Sequence, residues 1–111
     1  NVTSGEVKNI IIAYEPVSAI GTGDSAKPHD VTAAARVIKH NIAELYGTQA
    51  AESVRILYGG SVSADTASGY LRLPEVDGLL VGGASLNYHS FSDIIDSAYR
   101  AKRNIQTIRD I

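Results

Sequence analysis

The arrangement that most constrains this chain is a cycle that recurs three times: a short apolar run, a turn of small residues, then a helical pattern. Val7 to Ala13 (Val-Lys-Asn-Ile-Ile-Ile-Ala) is too short and too continuous for an amphipathic helix, and it reads as a strand covered on both faces. A Gly/Pro/Ser-rich stretch from Pro16 to Pro28 follows. Pro28 suits the first turn of a helix in which Val31, Ala34, Ala35, Ile38, Ile42 and Leu45 recur at steps of three and four, with Gly47 as its C-terminal cap. The second cycle is a strand over Val54–Tyr58, a Gly59-Gly60-Ser61 turn, and a helix from Ser63 to Leu73 stopped by Pro74. The third is a strand over Asp77–Val81, a Gly82-Gly83 turn and a brief helical start over Ala84–Leu86. Ser90 and Asp93 then resemble a capping box opening a last helix that turns Phe91, Ile94, Ile95 and Ala98 inward, and Ile105 and Ile108 suggest that it continues into the tail.

Strands alternating with crossover helices imply parallel pairing through right-handed βαβ units, so the expected class is α/β. No linker interrupts residues 1–111, which read as one segment without an internal domain boundary. Three parallel strands alone leave two unpaired edges and an uncovered apolar face. The pattern therefore asks for more strands than the chain holds. Absence of Met from a chain that starts at Asn1 adds the expectation that it was trimmed or excised from something longer.

Composition narrows the chemistry. With 111 residues, a net charge of −2 and no run of like charges, there is no electrostatic case for a nucleic-acid or anionic-membrane partner. No apolar run approaches the roughly 20 residues of a bilayer span, and Asn1-Val-Thr-Ser-Gly does not read as a signal peptide. The sequon Asn1-Val2-Thr3 is taken as chance. Lack of cysteine rules out a disulfide framework, a thiolate zinc site and a thiol nucleophile, and is compatible with a reducing cytoplasm.

What remains points to the C-terminal edge of the sheet, where all three glycine-rich turns converge. Glycine lets a phosphate approach the main chain, and helix N-termini add unpaired N–H donors. One such turn alone is better explained by simple chain reversal than by a ligand; three in register favour an anion site. Glu15 stands at the same edge, between an apolar strand and Pro16. Alone it is a solvated strand-end carboxylate, but beside a bound phosphate in a water-excluding pocket it is a candidate general base with a pKa raised by desolvation. The loop Pro16-Val-Ser-Ala-Ile-Gly-Thr-Gly is apolar in its middle and bounded by small residues, and composition fits a mobile lid and a static loop equally.

Three motifs, Ala13-Tyr14-Glu15-Pro16-Val17-Ser18-Ala19-Ile20-Gly21-Thr22-Gly23, Tyr58-Gly59-Gly60-Ser61-Val62 and Val81-Gly82-Gly83-Ala84-Ser85-Leu86, resemble triosephosphate isomerases in content, order and spacing. The resemblance runs from Val7 to Ala98. It implies the sixth to eighth βα units of a (β/α)8 TIM barrel, a fold that takes about 250 residues when complete. It also implies that Glu15 is the general base interconverting dihydroxyacetone phosphate and glyceraldehyde 3-phosphate, a step of glycolysis and gluconeogenesis. By the same likeness Gly21, Ser61, Gly82 and Gly83 hold the substrate phosphate, and Tyr58 and Ala26 secure the lid. No cofactor and no metal are implied. The implied partners are the triose phosphate, the missing N-terminal portion with βα units 1–5, and a second subunit in a homodimer of the complete, cytoplasmic enzyme.

The chain departs from the family pattern in three respects, one of them its tail, Ala101 to Ile111, which extends beyond the usual family end. The family's electrophilic lysine and histidine lie upstream of anything present; Lys8, Lys27 and Lys39, and His29, His40 and His89, stand in other contexts, and the three histidines read as surface residues. His40 and Glu44 share a helix face, too few groups for a metal site. The lid hinge Pro-Val-Trp is here Pro16-Val17-Ser18, which removes a large aromatic. Since both electrophiles are missing, this segment alone is expected to be inactive. The alternative readings are a non-catalytic, excised or engineered half-barrel that keeps some phosphate binding, and a phosphate-holding part of a different (β/α)8 enzyme, against which Tyr14-Glu15-Pro16 argues.

Overall fold

The computed structural model describes residues 2–16 and 26–110, with side chains as far as residue 103. Three parallel strands form one sheet in the order β1 (Ile11–Tyr14), β2 (Arg55–Gly59), β3 (Gly78–Leu80). Helices α1 (Pro28–Tyr46) and α2 (Thr48–Ser53) connect β1 to β2, α3 (Ala67–Leu71) connects β2 to β3, and α4 (Tyr88–Asp110) follows β3. The α/β class and parallel pairing expected from the sequence are thus observed. Among the described residues no helix is long and apolar enough to cross a membrane.

The unreversed strand order decides the layering. Right-handed crossovers taken in one direction place every helix on the same side of the sheet. Val31 of α1, Tyr58 of β2, Ala67, Tyr70 and Leu71 of α3, and Ile94 of α4 accordingly form one buried cluster. A second cluster, Val7, Ile42, Ala51 and Val54, closes the N-terminal end. Each large side chain fully buried here, such as Ile56, Leu71 or Val76, contributes about 1.5–3 kcal/mol from removal of apolar surface.

The other side of the sheet is not covered. Strand side chains alternate, so Ile11, Ala13 and Glu15 share a face with Arg55, Leu57 and Gly59 of β2 and with Gly78 and Leu80 of β3. Ile11 is 54% and Leu80 45% exposed. This corrects the expectation of a first strand buried on both faces. On the helix side, Phe91 and Ile95 of α4 stay exposed along a cleft against β3, although both were expected inward, while Ile94 packs into the buried cluster and Ala98 is half-buried.

Element boundaries differ from the pattern for local reasons. Val7–Asn9 is a 3₁₀ turn and not the start of β1: Glu6 and Val7 donate to the Thr3 carbonyl and Asn9 to that of Glu6. Helix α1 begins at Pro28 and ends at Gly47, whose φ of 98° and N–H bond to the Ala43 carbonyl (2.8 Å) make the expected cap. Gly47 also starts α2, a short helix that no apolar periodicity announces. Helix α3 is shorter than Ser63–Leu73 because Ser63 and Thr66 exchange side-chain and backbone hydrogen bonds in a turn. Asn87 caps α4, its Oδ1 accepting the Ser90 N–H at 2.9 Å, so the expected box at Ser90 lies one turn too late. The helix does continue into the tail, to Asp110.

Candidate active site

Parallel pairing brings the ends of all three strands to one edge, and the register fixes which residues stand together there. Tyr14 is level with Tyr58, so Glu15, the next residue, is level with Gly59, which in turn pairs with Leu80. All three face the uncovered side. A Cβ on Gly59 would lie 3.0 Å from Glu15 Cγ and 3.2 Å from both Cβ and Cδ2 of Leu80. Gly59 therefore leaves a gap that the stem of Glu15 enters from one side and Leu80 from the other. Glu15 itself is exposed, so the water-excluding pocket expected around it is not built by the described residues alone.

Ser61, half-buried, follows β2 at this edge, and Gly82 and Gly83 follow β3. Gly83 opens a 3₁₀ turn over Gly83–Leu86, held by Ser85, which donates both N–H (2.9 Å) and Oγ–H (2.7 Å) to the Gly82 carbonyl. Among the described residues nothing accepts the N–H of Gly82 or Gly83. Space around both is open, since a Cβ at either would meet nothing within 4 Å. Two adjacent unused backbone donors at the open end of a parallel sheet are suited to an anion.

Tyr58 and Ala26 are also brought together. Fully buried Tyr58 lies on the helix-facing side, and its hydroxyl accepts the Ala26 N–H at 3.2 Å. Sequence reasoning missed Tyr70. Its ring stacks on Tyr58 with centroids 4.1 Å apart, and its hydroxyl donates to the Ala26 carbonyl at 2.6 Å. At the sequence level Tyr70 was indistinguishable from a core aromatic, three residues after Ala67 on an apolar helix face; only the acceptor, a backbone carbonyl 44 positions away, gives it a second role.

Gly21 and Ser18, with the rest of 17–25, lie outside the described residues. The histidines are all exposed, and His40 Nε2 is 3.9 Å from Glu44 Oε1 on their shared face. Among the described residues no group of three or more His, Cys, Asp or Glu is gathered for a metal ion.

The family profile described as triosephosphate isomerase matches residues 1–98. The chain belongs to the triosephosphate isomerase family. A triosephosphate isomerase of Caldanaerobacter subterraneus subsp. tengcongensis is 48% identical over 95 residues, which are 86% of this chain and 38% of that protein. That of Chlamydia abortus is 50% identical over 95 residues, again 86% of this chain and 37% of the relative. That of Chloroflexus aurantiacus is 51% identical over 90 residues, 81% of this chain and 36% of the relative. The chain thus spans under two fifths of the length of these curated relatives. Its three parallel strands with helices on one face are part of the (β/α)8 barrel of the triosephosphate isomerase family.

Proposed function

We propose that residues 1–111 are one partial-barrel segment, the sixth to eighth βα units of a triosephosphate isomerase, active when the other five units complete it. Glu15 is the general base that moves a proton between the two carbons of the triose phosphate, interconverting dihydroxyacetone phosphate and glyceraldehyde 3-phosphate. Gly82 and Gly83, with Ser61 and Gly21, hold the phosphate through N–H groups, and Tyr58 and Ala26 fix the chain where it returns toward α1. The complete enzyme is a cytoplasmic homodimer. A glutamate base acting behind a closing loop is the established chemistry of this family, and the proton transfer at Glu15 follows it.

The observation that carries this reading is the common edge. Glu15 follows the Tyr14–Tyr58 pair and stands against Gly59, and the N–H groups of Gly82 and Gly83, which have no acceptor among the described residues, follow β3 at the same edge. Proton transfer next to a carbonyl needs a base at the carbons, an electrophile at the oxygens, and exclusion of water. The chain supplies the base and the phosphate donors; the family's electrophilic lysine and histidine belong to the missing units. Their absence removes several kcal/mol of transition-state stabilisation, so the segment alone turns over no substrate above buffer.

The test is complementation. The chain is co-expressed with the first five βα units of the Caldanaerobacter subterraneus relative, and isomerase activity of the purified complex is measured. Turnover by the complex and none by either part supports the reading; a stable complex without turnover overturns it. A second reading, a non-catalytic assembly module that keeps some phosphate affinity, is favoured by the exposed Ile11 and Leu80 on the open sheet face. That folded but inert complex is the result it predicts.

A further inference from the structure

We infer that Tyr70 is a positioning residue for the proton-transfer base, acting through Tyr58 and Ala26; this rests on the isomerase reading above.

Ala26 lies just before α1, whose first hydrogen bonds use the carbonyl of Lys27. Neither the N–H nor the C=O of Ala26 is used by the helix, and half-buried backbone groups need partners. Both partners are phenols. Tyr58 accepts the N–H and Tyr70 donates to the C=O, so one residue of main chain is held at both of its polar groups. The shorter contact, 2.6 Å, is the one from Tyr70.

The two rings are not independent. With centroids 4.1 Å apart and planes 24° from parallel, Tyr70 lies against Tyr58 from the helix side. Tyr58 is followed in β2 by Gly59, the residue against which the stem of Glu15 rests on the opposite face. A chain of contacts thus runs from α3 through the Tyr70 ring to Tyr58, across the sheet at Gly59, and to Glu15. Loss of the Tyr70 hydroxyl frees the Ala26 carbonyl and so loosens the Ala26 N–H bond that holds the Tyr58 hydroxyl, while keeping the stack; loss of the ring also lets Tyr58 and the end of β2 shift. A base displaced by a fraction of an ångström loses turnover before it loses substrate binding.

The experiment uses the complemented barrel with Tyr70→Phe, Tyr70→Leu and, as a control on α1 away from Ala26, Arg36→Ala. Tyr70→Phe is expected to lower kcat about two- to ten-fold with KM unchanged, the loss that one net hydrogen bond represents. Tyr70→Leu should lower kcat further, and Arg36→Ala should leave both constants alone. Amide exchange at Ala26 is followed in parallel and should accelerate in both Tyr70 variants. Wild-type kcat in Tyr70→Phe overturns the inference, as does an equal fall in Arg36→Ala, which would trace the loss to general stability. If the wild-type complex is folded but inert, the isomerase reading falls and the kinetic role of Tyr70 falls with it. Ala26 exchange then still decides whether Tyr70 holds that backbone.

Discussion

Glu15 reaches over Gly59: the Cγ of the one lies 3.0 Å from the point where a Cβ of the other would sit. Any side chain at 59 must displace either the Glu15 stem or Leu80, which approaches to 3.2 Å. Gly59→Ala is expected to destabilise the complemented barrel by about 1–3 kcal/mol through overpacking. It should also lower kcat by roughly ten- to a hundred-fold as the carboxylate is pushed aside. Urea denaturation and steady-state kinetics of the same preparation read the two effects.

Tyr58→Phe removes the acceptor of the Ala26 N–H from a position with no solvent access. The stranded donor costs about 1–3 kcal/mol, measurable as a lower midpoint of chemical denaturation of the complemented barrel.

Gly47 donates its N–H to the Ala43 carbonyl as the last bond of α1, and its φ of 98° then turns the chain out of the helix. Gly47→Ala puts a Cβ into left-handed backbone. A loss of about 1–2 kcal/mol is expected although the added methyl meets no neighbour within 4 Å. Thermal denaturation checks it, and an unchanged midpoint would show that the backbone relaxes without strain.

Much of this frame was legible in the sequence. The three strand–turn–helix cycles, the start of α1 at Pro28 and its stop at Gly47 follow from periodicity and from residues with a single backbone habit. Val7 misled because one buried valine just before Ile10–Ala13 looks like the first residue of the strand; it packs on Ile42, Ala51 and Val54 instead of entering the sheet, and Lys8 and Asn9 of its turn are exposed. Phe91 and Ile95 misled for a different reason: helical spacing groups them with Ile94, but of the three only Ile94 packs into the buried cluster. Glu15 and the glycine turns could be placed at one edge from strand direction alone. That Glu15 leans on Gly59, and that Tyr70 reaches Ala26, depends on pairing register and on contacts distant in sequence, which no local pattern records.

Glu6 provides a pH test at the N-terminus. Hydrogen bonds from the Thr3 hydroxyl (2.7 Å) and the Thr3 N–H (3.2 Å) hold its carboxyl below its ordinary value of 4.5. A carboxyl depressed by folding favours the folded state above the ordinary value, and that contribution is lost as the pH falls through the depressed one. Thr3→Val removes the hydroxyl donor, so the Glu6 titration midpoint should move upward in side-chain carboxyl NMR. No movement would mean that the Thr3 hydroxyl does not hold the carboxylate in solution.

The most direct measurement on the central claim is the isomerase rate of the complemented barrel with Glu15 and with Glu15→Gln, which keeps the shape of the side chain and removes its basicity. A general base at this position predicts a fall in kcat of at least about a hundred-fold with assembly intact. An assembled Glu15→Gln barrel that isomerises at the unsubstituted rate would contradict it.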